Sequence, residues 1–307
     1  MLNALPAALF AVCLARLDAA PASEAEVPQG TVKKDPTTTG STDLGGSGQF
    51  ASGTAAPAES TDITQFNLSA GGIFNTGNSR SLAVTGLTKF LLRRKIHQFT
   101  AAAAGNYGRA ALAVRDDPTT DGVNEGKVQQ TVGNVQGQVR YDVFFHKRFS
   151  AFLMSTARYD KFQGLDLRLN IDPGIAMYAL AEATHKLWFE VGYDFQFDVR
   201  SRDARDAAEA MGGVRPAKTK VNHAARLFAG YTNNLSKYVT FDTGFEYLQS
   251  FIVAQRFRIN WVSALTVALS DRFSLGSTFT LRYENRPLPG VRNLDTITSV
   301  LLGVRLI

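Results

Sequence analysis

From about residue 63 to the last residue the chain repeats one pattern: about ten to fifteen positions of alternating apolar and polar side chains, then a run of turn-forming residues. The plainest case is LWFEVGYDFQFDVR, residues 187–200. Leu187, Phe189, Val191, Tyr193, Phe195, Phe197 and Val199 alternate there with Trp188, Glu190, Gly192, Asp194, Gln196, Asp198 and Arg200. A period of two places successive side chains on opposite faces of a strand, so this segment separates an apolar surrounding from a polar one. A soluble sandwich would turn the apolar face to a core, whereas a membrane barrel would turn it to lipid and the charged face to a lumen.

The rest of the chain favours the barrel. About twelve such segments follow one another, near residues 63–75, 79–92, 97–109, 127–144, 149–163, 166–181, 187–201, 220–233, 237–250, 255–269, 273–285 and 293–307. Each reaches the roughly 9–11 residues that a tilted strand needs to cross a bilayer. Their connections alternate in length. Residues 93–96, 145–148, 183–186, 234–237 and 270–272 form short turns, while 110–126, 202–219 and 286–292 are longer polar loops; the connections near 76–78 and 164–165 are tight. Short turns on one rim and longer loops on the other predict an all-β fold, an antiparallel up-and-down transmembrane β-barrel of about 12 strands. An even strand count puts both ends of the barrel on the short-turn rim.

The polar face supplies the candidate lumen-lining residues: Lys89, Arg140, Asp142, Arg158, Asp160, Glu190, Asp194, Asp198, Arg200, Arg226, Asp242, Glu246, Arg256, Arg258, Arg282 and Glu284, with Arg305 at the end of the chain. Both signs are present, and charges in a narrow lumen need partners or water. Tyr107, Phe145, Tyr159, Tyr231 and Phe273 fall near strand ends on the apolar face, where interfacial girdles form.

Composition narrows the classes. The chain has 307 residues, 45% of them hydrophobic, and no apolar run long enough for a transmembrane helix. Its single cysteine, Cys13, excludes a disulfide framework. The net charge of +6 is spread along the chain without a basic stripe, which argues against nucleic-acid binding. Residues 1–22 read as a signal peptide that lacks the usual N-terminal positive charge, and 23–60, rich in Gly, Ser, Thr, Ala and Pro, as a disordered tether. Residues 61–307 then form the barrel.

Two motifs carry a family resemblance. LSAGGIFNTGNSRS, residues 68–81, resembles the opening hairpin of a family of bacterial outer-membrane β-barrel proteins named for induction by salt, with Thr76, Gly77, Asn78 and Ser79 on its turn. YDKFQGLDLRLNIDPGIAMYAL, residues 159–180, is similar to its Tyr-Asp-x-Phe stretch and the strand after it, through Tyr159, Asp160, Phe162, Asp166, Arg168, Asn170 and Gly174. Ala176 and Met177 depart from that pattern, and the chain ends without the outward-facing terminal aromatic of many such barrels. The resemblance implies an outer-membrane barrel, a link to salt stress and no established activity.

The expected function is a passive outer-membrane channel or osmotic-stress barrel whose mixed-charge lumen sets its preference among small polar solutes and ions. The tether and short turns would be periplasmic and the longer loops extracellular. Interlocked ion pairs would instead close the lumen and make a structural or receptor-like barrel. An embedded hydrolase such as a phospholipase would need a serine beside a histidine, and His97, His146, His185 and His223 show no such spacing. No catalytic, cofactor or metal residue is expected; Asp194 and Asp198 read as ion-pair members rather than cation ligands.

Overall fold

The computed structural model describes residues 62–75, 81–111, 128–182, 184–210, 214–286 and 293–306. Twelve strands form in chain order: β1 (Ile63–Asn75), β2 (Ser81–Arg94), β3 (His97–Ala111), β4 (Val128–His146), β5 (Phe149–Asp160), β6 (Leu165–Ala181), β7 (His185–Arg200), β8 (Thr219–Asn234), β9 (Val239–Ser250), β10 (Phe257–Ala268), β11 (Phe273–Glu284) and β12 (Leu294–Arg305). Each pairs antiparallel with its neighbours in sequence, and β1 pairs with β12, Asn67 opposite Arg305 and Ala70 opposite Leu302, to close the barrel. Closure leaves no free sheet edge, which is what lets a sheet sit where water cannot bind its backbone.

The short-turn rim is built from local chemistry. Lys95, at φ 52°, occupies the left-handed position of a two-residue hairpin turn before Ile96. Both ends of the barrel meet this rim: Arg94 donates 3.2 Å to the Ile63 carbonyl, and the Leu306 N–H donates 3.0 Å to that of Phe66.

On the opposite rim two expectations are corrected. β5 ends at Asp160, and the connection to β6 spans 161–164 rather than 164–165. The Asp160 carboxylate accepts the Phe162 and Gln163 N–H groups, each at 3.1 Å, and Gly164 at φ 65° completes a turn that strand alternation cannot reveal. The 202–219 connection, read as a loop, contains helix α1 (Arg202–Ala210). The Ser201 hydroxyl caps it by accepting the Ala204 N–H at 3.2 Å, and Arg205 ties it down through the Pro216 carbonyl at 2.8 Å. Ala204 packs against Gly164, where a Cβ would collide.

The outer surface is apolar on all sides described. Leu153, Ile175, Val191, Leu227, Phe245, Trp261, Leu275 and Leu302 all point away from the barrel, Val191 at 63% exposure. A belt of this size far exceeds the apolar patches a water-facing protein leaves uncovered. Toward the rims, tyrosine hydroxyls meet histidine rings: Tyr141 with His97 at 2.7 Å, Tyr231 with His185 at 2.9 Å, and Tyr193 with His223.

Candidate lumenal site

Alternation turns the other face inward, and the contacts prove it by their span. Arg140 on β4 bonds Glu190 on β7, and Arg258 on β10 bonds Asp194 on β7; strands this far apart in the sheet reach each other only across the inside of a closed barrel.

Three groups of side chains fill the interior, the first two interleaved on the short-turn side, where Arg140 stands opposite Met154 and Glu190 opposite Phe228. The first is a knot of Phe144, Phe152, Met154, Ala176, Tyr178, Trp188 and Phe228, all buried. The Arg93 guanidinium lies 4.3 Å above the Phe144 ring and that of Arg140 4.1 Å above Phe152, so cations roof the aromatics. Trp188 stands opposite Gly230, and a Cβ on Gly230 would collide with the indole ring. Gly230→Val therefore displaces Trp188 and is expected to cost about 1–3 kcal/mol, read as a lower urea midpoint for unfolding.

The second group is a relay of five charges. Asp142 bonds Arg140 at 2.8 Å, Arg140 bonds Glu190 at 2.8 Å, Glu190 bonds Arg226 at 2.7 Å, and Arg226 bonds Glu246 at 2.6 Å. These side chains are at most 5% exposed, so each charge depends on its neighbours rather than on water.

The third group, on the long-loop side, lines a vestibule of about 140 Å³. Asp194 accepts Asn170 at 2.5 Å and Arg258 at 3.3 Å; Asp198 accepts Arg168 at 2.8 Å and Gln196 at 2.8 Å. Arg256 pairs with Glu284, and Arg158 with Asp160 at 2.6 Å. Arg200, Lys220 and Arg282 also line it. Asp242 lies lower, accepting Thr232 at 2.7 Å and facing Lys89. The wall opposite the knot is small and apolar, with Leu87, Ala102, Ala104 and Leu301 packed together.

The sixteen candidates thus divide between the relay, the vestibule and the Lys89–Asp242 level, with Arg256 just ahead of β10 rather than within a strand. The turn candidates Thr76, Gly77 and Asn78 lie outside the described residues, as do 1–61 with the signal, the tether and Cys13. Sequence reading missed Arg93, Arg168, Asp172 and Lys220. Arg168 and Asp172 share the period-two face with Asn170, and Lys220 the face of Arg226, so the alternation already held them. It also missed the knot, because apolar residues on the polar face look like exceptions until Phe152, Trp188 and Phe228 are brought together from three strands. Among the described residues the histidine rings bond tyrosine hydroxyls and, at His146, the Arg148 N–H.

The model of a family described as "Protein of unknown function, DUF481" matches residues 68–306. Similar solved structures include the NanC porin, with 10% identity, a TM-score of 0.46 and coverage of 78% of this chain and 98% of that one. The COG4313 outer membrane channel from Pseudomonas putida F1 shares 8% identity at a TM-score of 0.37, over 81% of this chain and 97% of its own. The translocator domain of the autotransporter NalP from Neisseria meningitidis shares 10% at 0.37, over 81% and 90%. These likenesses are distant, and the barrel described above stands on its own strand pairing. No curated protein matches the chain.

Proposed function

The chain belongs to the DUF481 family of proteins of unknown function, and for this member we propose an outer-membrane channel of restricted bore that admits small polar solutes or ions. The apolar belt, far too large for water, supports a bilayer around the barrel. Short turns and both barrel ends would face the periplasm, and the longer loops the exterior. The observation that carries the channel reading is the charged vestibule: fixed groups of both signs converge on a cavity at the long-loop end, the arrangement by which a pore selects solutes. The osmotic or salt-stress setting rests on the family resemblance of the two motifs alone.

A closed, receptor-like barrel is the second reading, favoured by the burial of Arg140, Asp142, Glu190 and Arg226 across the middle of the lumen. Planar-bilayer recording separates the two. The channel reading expects small discrete current steps from refolded protein, with step size changed at least about twofold by Asp194→Asn or Arg258→Gln, since each leaves a lumenal charge without its partner. Silence from a barrel that runs as folded on a heat-modifiable gel would overturn the channel reading in favour of the closed one.

A further inference from the structure

The vestibule is not neutral. Its described lining carries eight basic side chains and five acidic ones, and the acids are largely spoken for. Asp194 serves Arg258, Asp198 serves Arg168, Glu284 serves Arg256 and Glu246 serves Arg226, while Arg158 takes Asp160. Asp172, whose Oδ1 has no hydrogen-bond partner, lies beside Asp194 and within electrostatic reach of Arg226. Arg200 and Lys220 line the same cavity, make no ion pair, and lie within electrostatic reach of each other and of Arg256. The nearby carboxylates Asp198 and Glu284 are already bonded to Arg168 and Arg256, so the cations here outnumber them and repel one another, and an anion between them offsets that repulsion.

A second observation points the same way. Arg256 is only 7% exposed and spends its Nε and one terminal nitrogen on Glu284, yet its Nη1 has no hydrogen-bond partner. A buried guanidinium N–H left unmade is costly, and a ligand oxygen in the vestibule satisfies it.

We propose that Arg200, Lys220 and Arg256 form a binding site for a small free oxyanion, a phosphate or a compact carboxylate, at the long-loop mouth of the lumen. The cavity of about 140 Å³ has room for an anion of that size. Guanidinium forks and an ammonium match oxyanion geometry better than a halide, so the site discriminates phosphate from chloride. The site rests on the channel reading for its role, as the place where a solute is selected, but not for its existence.

The test is calorimetric titration of inorganic phosphate into the full-length folded barrel in detergent, against sodium chloride at matched ionic strength. Phosphate is expected to bind saturably. Arg200→Gln with Lys220→Gln, which breaks no ion pair, is expected to weaken it about tenfold or more, the loss of roughly one charge-assisted contact. Lys237→Gln, on an exposed short turn, should leave binding unchanged. Arg256→Gln, checked for heat-modifiable folding, should weaken it as well. No saturable phosphate binding, or binding equal in the wild type and the double variant, overturns the proposal. Because the titration needs no current, a silent barrel that still binds phosphate overturns only the channel reading, and a conducting barrel that binds none overturns only this site.

Discussion

Replacing Glu190 by alanine is expected to destabilise the barrel by about 3–5 kcal/mol, the effect of removing one member of a buried charge network. Glu190 alone joins the two halves of the relay, bonding Arg140 at 2.8 Å and Arg226 at 2.7 Å with its side chain fully buried. Without it two guanidiniums keep one carboxylate each, Asp142 and Glu246, and face each other across the space it leaves. The converse variant separates burial from pairing. Asp142→Asn, Arg140→Met, Glu190→Leu, Arg226→Met and Glu246→Gln together remove all five charges and their desolvation, and should recover much of the loss. Urea unfolding of the refolded protein, followed by the intrinsic fluorescence of Trp188 and Trp261, reads both; a Glu190→Ala midpoint equal to wild type would mean that water, not the relay, solvates these arginines.

The second large effect is expected in current rather than stability. Phe152→Ala with Trp188→Ala removes two of the five aromatic rings of the knot, which Phe144, Tyr178 and Phe228 complete toward the short-turn side of the lumen. Each ring carries on the order of 3–5 kcal/mol of packing in a closed core, less where water can refill the space. A folded double variant is expected to show single-channel conductance several times that of wild type, because the obstruction beside the relay becomes a water-filled passage. The Arg140 and Arg226 guanidiniums, 4.1 and 5.7 Å from the Phe152 ring, lose their aromatic floor in the same step. An unchanged conductance would place the constriction in the relay alone.

Much of this barrel was legible in the chain because its signal is a period. A strand between two solvents must alternate, and LWFEVGYDFQFDVR states both faces in one line. Strand number and the side on which the barrel ends meet follow from counting such segments and comparing the turns between them. What escaped was chemistry at a point. The Asp160 turn and α1 depend on single hydrogen bonds, to Phe162 and Gln163 in one case and from Ala204 to Ser201 in the other. The inward charges were readable as a set, but not their order: nothing in the spacing of Arg140, Glu190, Arg226 and Glu246 says that they form one chain of bonds across four strands. Nor does Trp188 among the carboxylates of β7 reveal that Gly230 opposite leaves room for its ring. Pairing across a lumen is fixed by barrel closure, which no local pattern contains.

The central claim is that the apolar face of the alternation meets lipid while the charged face lines a lumen narrowed beneath its vestibule. Single thiols in a Cys13→Ser background, exposed to a membrane-impermeant maleimide added from the long-loop side, test it most directly. The structure predicts fast labelling of Arg200→Cys in the vestibule, none of Val191→Cys on the outer belt, and none of Ala176→Cys, which is fully buried in the knot opposite Glu190 of the relay. Labelling of Val191→Cys at the rate of Arg200→Cys would put the apolar face in water, and equally fast labelling of Ala176→Cys would show a wide passage where a restricted bore is expected; either result contradicts the account.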